Sequence, residues 1–116
     1  MRLKLIMALV DDHRTENILA AAREVSATGA TVVTGARGEG LNPEKTFLRL
    51  GIAGQRDLLM FPVVEQLSRR ILETIATAGE FDEKPGSGIA FQIAIEDAVE
   101  LQSQLEVLKE EIAEQL

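Results

Sequence analysis

Leu3-Lys4-Leu5-Ile6-Met7-Ala8-Leu9-Val10 reads as a strand with two apolar faces. Side chains alternate along extended chain, so Leu3, Leu5, Met7 and Leu9 lie on one face and Ile6, Ala8 and Val10 on the other. A helical pattern follows over Thr15–Val25, with Ile18, Ala22 and Val25 forming its apolar stripe. A second strand, Ala30–Thr34, leads into the loop Gly35-Ala36-Arg37-Gly38-Glu39-Gly40. The same order then repeats. Leu58–Val64 is apolar at every position, and Gln66–Ala76 is helical in pattern, with the stripe Leu67, Ile71, Leu72 and Ile75. Behind it come the loop Ala78–Gly88 and a last strand, Ile89–Ile95, where Ile89, Phe91, Ile93 and Ile95 alternate with Ala90, Gln92 and Ala94. A β-α-β-β-α-β order predicts a ferredoxin-like, split-βαβ domain of the α+β class over residues 1–95. A long loop joins its two halves.

Two helices cover only one face of a four-stranded sheet. Both faces of these strands are apolar, so the second face needs another cover, and self-association supplies it most economically. A homo-oligomer is expected.

The chain has 116 residues and a formal charge of −7, which suits one domain with a core of its own. It has no Cys, which excludes disulfides, thiolate nucleophiles and Cys-based metal sites. The acidic balance and the lack of Tyr and Trp argue against a nucleic-acid surface, which wants a basic stripe and stacking aromatics. No apolar run approaches the ~20 residues that span a bilayer. The N-terminal strand lacks a signal-peptide pattern, so no membrane insertion and a cytoplasmic location are expected.

Residues 41–57 form an excursion between the halves. Asn42-Pro43-Glu44 resembles a helix start and Gly51 or Gly54 a stop, predicting a turn or two of helix over Pro43–Leu50, or order gained on binding a partner. Phe47, Leu48, Leu50 and Ile52 make the excursion apolar, where a plain connector would be polar. Packing back on the domain and facing a partner both fit. Asp11 or Asp12 is expected to cap the first helix, and Ser26 to Gly29 to end it. His13 beside Asp11, Asp12 and Glu16 reads as a solvated helix start, with no second ligand at metal-binding spacing. Residues 96–116 predict an extra C-terminal amphipathic helix. Asp97 and Glu100 open it, Leu101, Leu105, Leu108, Ile112 and Leu116 form one stripe, and an acidic face lies opposite.

Glu24-Val25-Ser26-Ala27-Thr28-Gly29-Ala30-Thr31-Val32, followed closely by Gly38-Glu39-Gly40, resembles the P-II nitrogen-regulatory signalling family. There, a Glu-Val-Gly-x-x-Gly-x-Thr-Val run leads to a Gly-x-Gly and a long T-loop. The resemblance spans residues 3–95 and places the excursion 41–57 at the T-loop and the segment 78–88 at the B-loop. It implies a non-enzymatic homotrimer that binds an adenine nucleotide (ADP, AMP or ATP, with Mg²⁺ possible) between subunits. Such a protein engages a target enzyme or membrane transporter through the T-loop. Thr31, Val32, Val63 and Val64 fall where the family holds adenine, although ordinary strand packing accounts for them equally.

Departures from the family pattern are specific. Thr77-Ala78-Gly79-Glu80-Phe81-Asp82-Glu83-Lys84-Pro85-Gly86-Ser87-Gly88 replaces the family's B-loop motif, longer and more acidic. The T-loop Tyr is missing, Leu41 stands near the place of the Gln that helps bind 2-oxoglutarate, and Glu96, Asp97 and Glu100 stand where arginines grip phosphate. The phosphate candidates left are Arg37, Lys84 and Arg56, with backbone donors from Gly38, Glu39, Gly40, Gly86, Ser87 and Gly88. Glu39, Glu80, Asp82 and Glu83 would repel phosphate unless a metal intervenes. A divergent member is implied, favouring AMP or ADP over ATP with 2-oxoglutarate. Phe47, Leu48 and Leu50 would face the target. A structural trimer of the divalent-cation-tolerance type, without nucleotide, is the alternative. No Ser, Thr or His has an evident base beside it, and no enzyme is expected.

Overall fold

The computed structural model describes residues 2–27, 29–36, 46–47, 50–51 and 55–99. Among these residues six strands and two α-helices run in the order β1 (Leu3–Asp11), α1 (Thr15–Glu24), β2 (Thr31–Ala36), β3 (Thr46–Phe47), β4 (Leu50–Gly51), β5 (Arg56–Val64), α2 (Glu65–Ala78) and β6 (Gly88–Ile95). A single 3-10 turn, Asp12–Arg14, joins β1 to α1. The main sheet has the order β2-β5-β1-β6, with antiparallel neighbours throughout.

Register places the side chains in rows. Val32, Leu59, Ala8 and Ala90 face the helices across all four strands, and Phe61, Ile6 and Gln92 form the next row on that face. Ile18 and Ala22 of α1 and Leu67, Ile71 and Ile75 of α2 close over these rows, so the core is the helix-facing half of the sheet. Each large aliphatic or aromatic side chain buried here contributes about 1.5–3 kcal/mol. The other face carries Val33, Leu58, Leu9 and Ile89 in one row and Thr31, Met60, Met7 and Phe91 in the next. No helix of the described residues covers it, and Phe91 and Ile93 are 46% and 47% exposed. Among the described residues, the expected second apolar face is present without a helix over it.

Three expectations need correction. Neither Asp11 nor Asp12 caps a helix through its side chain. Asp11 ends β1 in register with Arg56, and its carboxylate is taken by that guanidinium instead of a helix N–H. Thr46–Phe47 and Leu50–Gly51 form a two-residue antiparallel ladder, so a helix over Pro43–Leu50 does not hold there. A Pro sets only a first helical φ, whereas the β-branched and aromatic pair Thr46-Phe47 favours extended backbone. Arg56 and Asp57 belong to β5 and not to the excursion, because they continue its ladders with β1 and β2. The rest of the excursion, with Leu48, and the C-terminal stripe from Leu101 onward lie outside the described residues.

The end of α1 is as expected. Val25 N–H donates to Ala22 O and Ser26 N–H to Arg23 O, with Ser26 at φ 75°.

Candidate ligand site at the loop end of the sheet

At one end of the sheet β2 and β1 finish while β5 and β6 begin. Ala36, Arg56 and Asp11 stand side by side in register there, and Val10 faces Gly88. The Arg56 guanidinium lies 2.6 Å from Asp11 Oδ1, with the two side chains only 9% and 21% exposed. Arg56 also donates to Gln55 O at 3.1 Å. Asp12 N–H donates to Gln55 O at 3.2 Å, and Asp11 N–H to Ser87 O at 3.4 Å. One floor below, the Thr15 hydroxyl donates to Asp57 Oδ2 at 2.6 Å, pinning the start of α1 to β5. Buried carboxylates need such donors.

The loop between α2 and β6 folds on itself above this floor. Lys84 N–H donates to Glu80 O and Ser87 N–H to Lys84 O, each at 3.0 Å. The Ser87 hydroxyl donates to Glu80 O at 3.1 Å, and Gly86 takes φ 85°, a conformation that glycine adopts without strain. Phe81 wedges between Gly79 and Gly88. A Cβ on either glycine would overlap its Cε1, so the close approach requires glycine at both positions.

Glu80 is the hub. Arg14 Nη1 lies 2.7 Å and Lys84 Nζ 3.3 Å from the same carboxylate oxygen, Oε2. The Arg14 hydrogen bond, followed by the hydrogen bond and charge of Lys84, holds the Glu80 carboxyl below its ordinary value.

The structure brings together only some of the residues singled out from sequence. Lys84, Gly86, Ser87 and Gly88 share the α2–β6 loop, where Lys84 is exposed and Ser87 buried. Arg56, a phosphate candidate, is instead held in the buried pair with Asp11. Thr31 lies on the open face and Val32 on the helix face of the edge strand β2, both exposed. Val63 and Val64 are each 1% exposed, part of the core, so their side chains are closed to a ligand. The β2–β5 ladder stops at Thr31↔Met60. Among the described residues, the β2-side edge of Phe61–Val64 therefore has no strand beside it. Arg37, Gly38, Glu39 and Gly40 lie outside the described residues, and Phe47 and Leu50 are placed only as members of β3 and β4.

Sequence reasoning missed Arg14, Asp11 and Thr15 as site-building groups. Their partners are 42 to 66 residues away in sequence, too far for any local spacing signal. His13 is exposed, and among the described residues no group of three or more His, Cys, Asp or Glu gathers to hold a metal. No helix of the described residues is long and apolar enough to cross a membrane.

The strands that carry the two glycine loops lie apart within one protomer. The first loop departs from β2 and the second enters β6, the opposite edges of the sheet. Three strand spacings, about 14 Å, separate them.

A four-stranded antiparallel sheet with both described helices on one face defines a ferredoxin-like α+β protein, here with, among the described residues, an open edge beside β5 and an acidic, self-bonded loop ahead of β6. The model of the family described as nitrogen regulatory protein P-II matches residues 3–104, and the chain belongs to that family of regulatory signalling proteins. Among solved structures, CPII from Thiomonas intermedia K12, bound to ADP, AMP and acetate, is similar. Its identity is 19% and its TM-score 0.63, over 83% of this chain and 90% of that one. A putative PII-like signalling protein from Thermus thermophilus is similar at 23% identity and TM-score 0.59, over 82% of this chain and 87% of that one. The apo form of CPII, called a nitrogen regulatory PII-like protein, is similar at 18% identity and TM-score 0.63, over 82% and 92%. No curated protein matches the chain.

Proposed function

We propose that the protein is a trimeric P-II-type regulator that binds an adenine nucleotide between subunits. Bound nucleotide then governs a target enzyme or membrane transporter through the 41–57 excursion, without chemistry on the protein. The observation that carries this reading is the layout of the sheet. β2, which leads into the first glycine loop, and β6, which follows the second, are opposite edges of one protomer's sheet, so the loops would become neighbours across a subunit boundary, and an apolar face that no described helix covers gives copies a reason to assemble. The strand-free edge of Phe61–Val64, next to Thr31, offers backbone donors and acceptors for a base, in keeping with Thr31, Val32, Val63 and Val64 as base-binding positions. Phosphate would fall to Lys84, Gly86, Ser87 and Gly88 of one copy and to Arg37, Gly38, Glu39 and Gly40 of the next. Phe47, Leu48 and Leu50 would face the target.

ADP and AMP in the related CPII support a nucleotide with few phosphates. Any Mg²⁺ would arrive on those phosphates, and its acidic neighbours would be Glu39, Glu80, Asp82 and Glu83 of the two loops. Residues 1–95 would form the ligand-binding domain, residues 96–116 an appended amphipathic helix, and the cytoplasm would be the working compartment. Light scattering should return a trimer, and 100 Kd of AMP or ADP should stabilise it by about 2.7 kcal/mol in a thermal melt. A trimer indifferent to AMP, ADP and ATP would instead match the divalent-cation-tolerance type, and a monomer would overturn both readings.

A further inference from the structure

Arg14 on the turn before α1 and Lys84 on the α2–β6 loop converge on one carboxylate near the loop end of the sheet. Both already hold an anion, because both approach Glu80 Oε2, one at 2.7 Å and one at 3.3 Å. Glu80 is fixed in that place. Its backbone sits at φ 54°, which few non-glycine residues adopt, and its carbonyl accepts from Lys84 N–H and from the Ser87 hydroxyl. The Glu80 side chain is 44% exposed and Lys84 60%, so a ligand can reach the pair from solvent on the Lys84 side, while Arg14, 13% exposed, backs it.

We propose that Glu80 is a specificity-determining residue that occupies Arg14 and Lys84 as an internal counter-anion, so that simple inorganic phosphates are excluded and only a phosphate anchored elsewhere in the site displaces it. This rests on the nucleotide reading above, since the anchor is the base. A free phosphate or pyrophosphate must release the carboxylate and then sit beside its charge. It has no base to anchor it while it does so. A nucleotide meets the same opposition with its base already held, so displacement becomes an intramolecular event at high effective concentration. The loop then answers to nucleotides in a cell rich in inorganic phosphate.

Calorimetry with inorganic pyrophosphate, with ADP run in parallel, tests this on the full-length chain. Glu80→Gln keeps an acceptor for Arg14 and removes the charge, and its Kd for pyrophosphate should fall roughly tenfold below that of the wild type. Glu80→Asn, which tolerates positive φ, serves as the second variant should Glu80→Gln fold poorly, and should show the same gain. Adding Lys84→Ala to either should cancel it, which a mere loosening of the loop would not do. Equal pyrophosphate affinities in wild type and in the folded neutral variants would overturn the proposal, as would a gain that survives Lys84→Ala. The ADP arm judges the underlying reading separately. Wild-type protein that ignores ADP refutes nucleotide binding, while the pyrophosphate comparison still decides whether Glu80 excludes free anions.

Discussion

Gly88→Ala strikes the point where the α2–β6 loop is locked to the sheet. Gly88 does not take positive φ, so alanine suits its backbone and the effect is one of space alone. The new methyl would overlap Phe81 Cε1, come within 2.8 Å of Cζ, and lie 3.0 Å from the Leu9 carbonyl oxygen. Leu9 belongs to β1, laddered on both sides, and cannot retreat. Phe81 must therefore leave the slot between Gly79 and Gly88. Overpacking of this kind costs about 1–3 kcal/mol, and about 2 kcal/mol is expected because an aromatic edge moves instead of backbone. Phe81→Ala alone should cost about 2 kcal/mol, below the range for a fully buried Phe, since Phe81 is only half-buried. In the double variant the methyl occupies space that the ring has vacated, so the costs should fall short of additivity by at least about 1 kcal/mol. The chain has no Trp or Tyr, so urea unfolding is followed by far-UV circular dichroism at one fixed chain concentration. Additivity within about 0.5 kcal/mol, or a neutral Gly88→Ala, would refute the wedge, a threshold set by ordinary experimental additivity.

Thr15→Val removes the hydroxyl that donates to buried Asp57 and should lower stability by about 1.5–3 kcal/mol in the same unfolding assay. The Glu80 carboxyl titrates lower in the folded protein than its ordinary 4.5, so its ion pairs add stability in full above that value and lose it as pH falls through the lowered one. Wild type should accordingly exceed Glu80→Gln in stability at neutral pH, and the gap should close as the pH drops below 4.5. Phe91→Glu with Ile93→Glu places charges on the open face without touching the core, and light scattering should show monomers whose circular dichroism is unchanged. Deleting residues 43–52 should leave assembly intact and abolish capture of the target. An unfolded product would make Phe47 and its neighbours structural.

Strand and helix positions were legible because period and burial agree. Ile6, Ala8 and Val10 were separable from Leu3, Leu5, Met7 and Leu9 by alternation alone, and the helices cover the first set. Polar side chains were not legible in the same way. Asp11 has the chemistry of a helix cap, and only the β1–β5 register, which sets it opposite Arg56, shows why it makes an ion pair. Arg56 looked like a phosphate ligand for the same reason, since its partner lies 45 positions earlier (56 − 11) and no local pattern links the two. The Glu80 hub was invisible because like charges dominate its neighbourhood in sequence, whereas Arg14 reaches it across the fold. Val63 and Val64 carry a family role that backbone atoms can fill, so their buried side chains neither support nor oppose it.

The segment that holds the excursion leaves the sheet after Ala36 of β2 and returns at Arg56 of β5, which are neighbours in register. Its two feet therefore stand one strand spacing apart, about 5 Å, and the returning foot is bolted to β1 through Arg56 and Asp11. With both ends fixed so closely, contour length is almost decoupled from the body of the protein. Doubling the segment would add only about 0.6 kcal/mol of closure entropy. Insertions, deletions and wholesale replacement of its sequence can then accumulate while the sheet beneath stays as it is, and one scaffold can be refitted to targets of different shape.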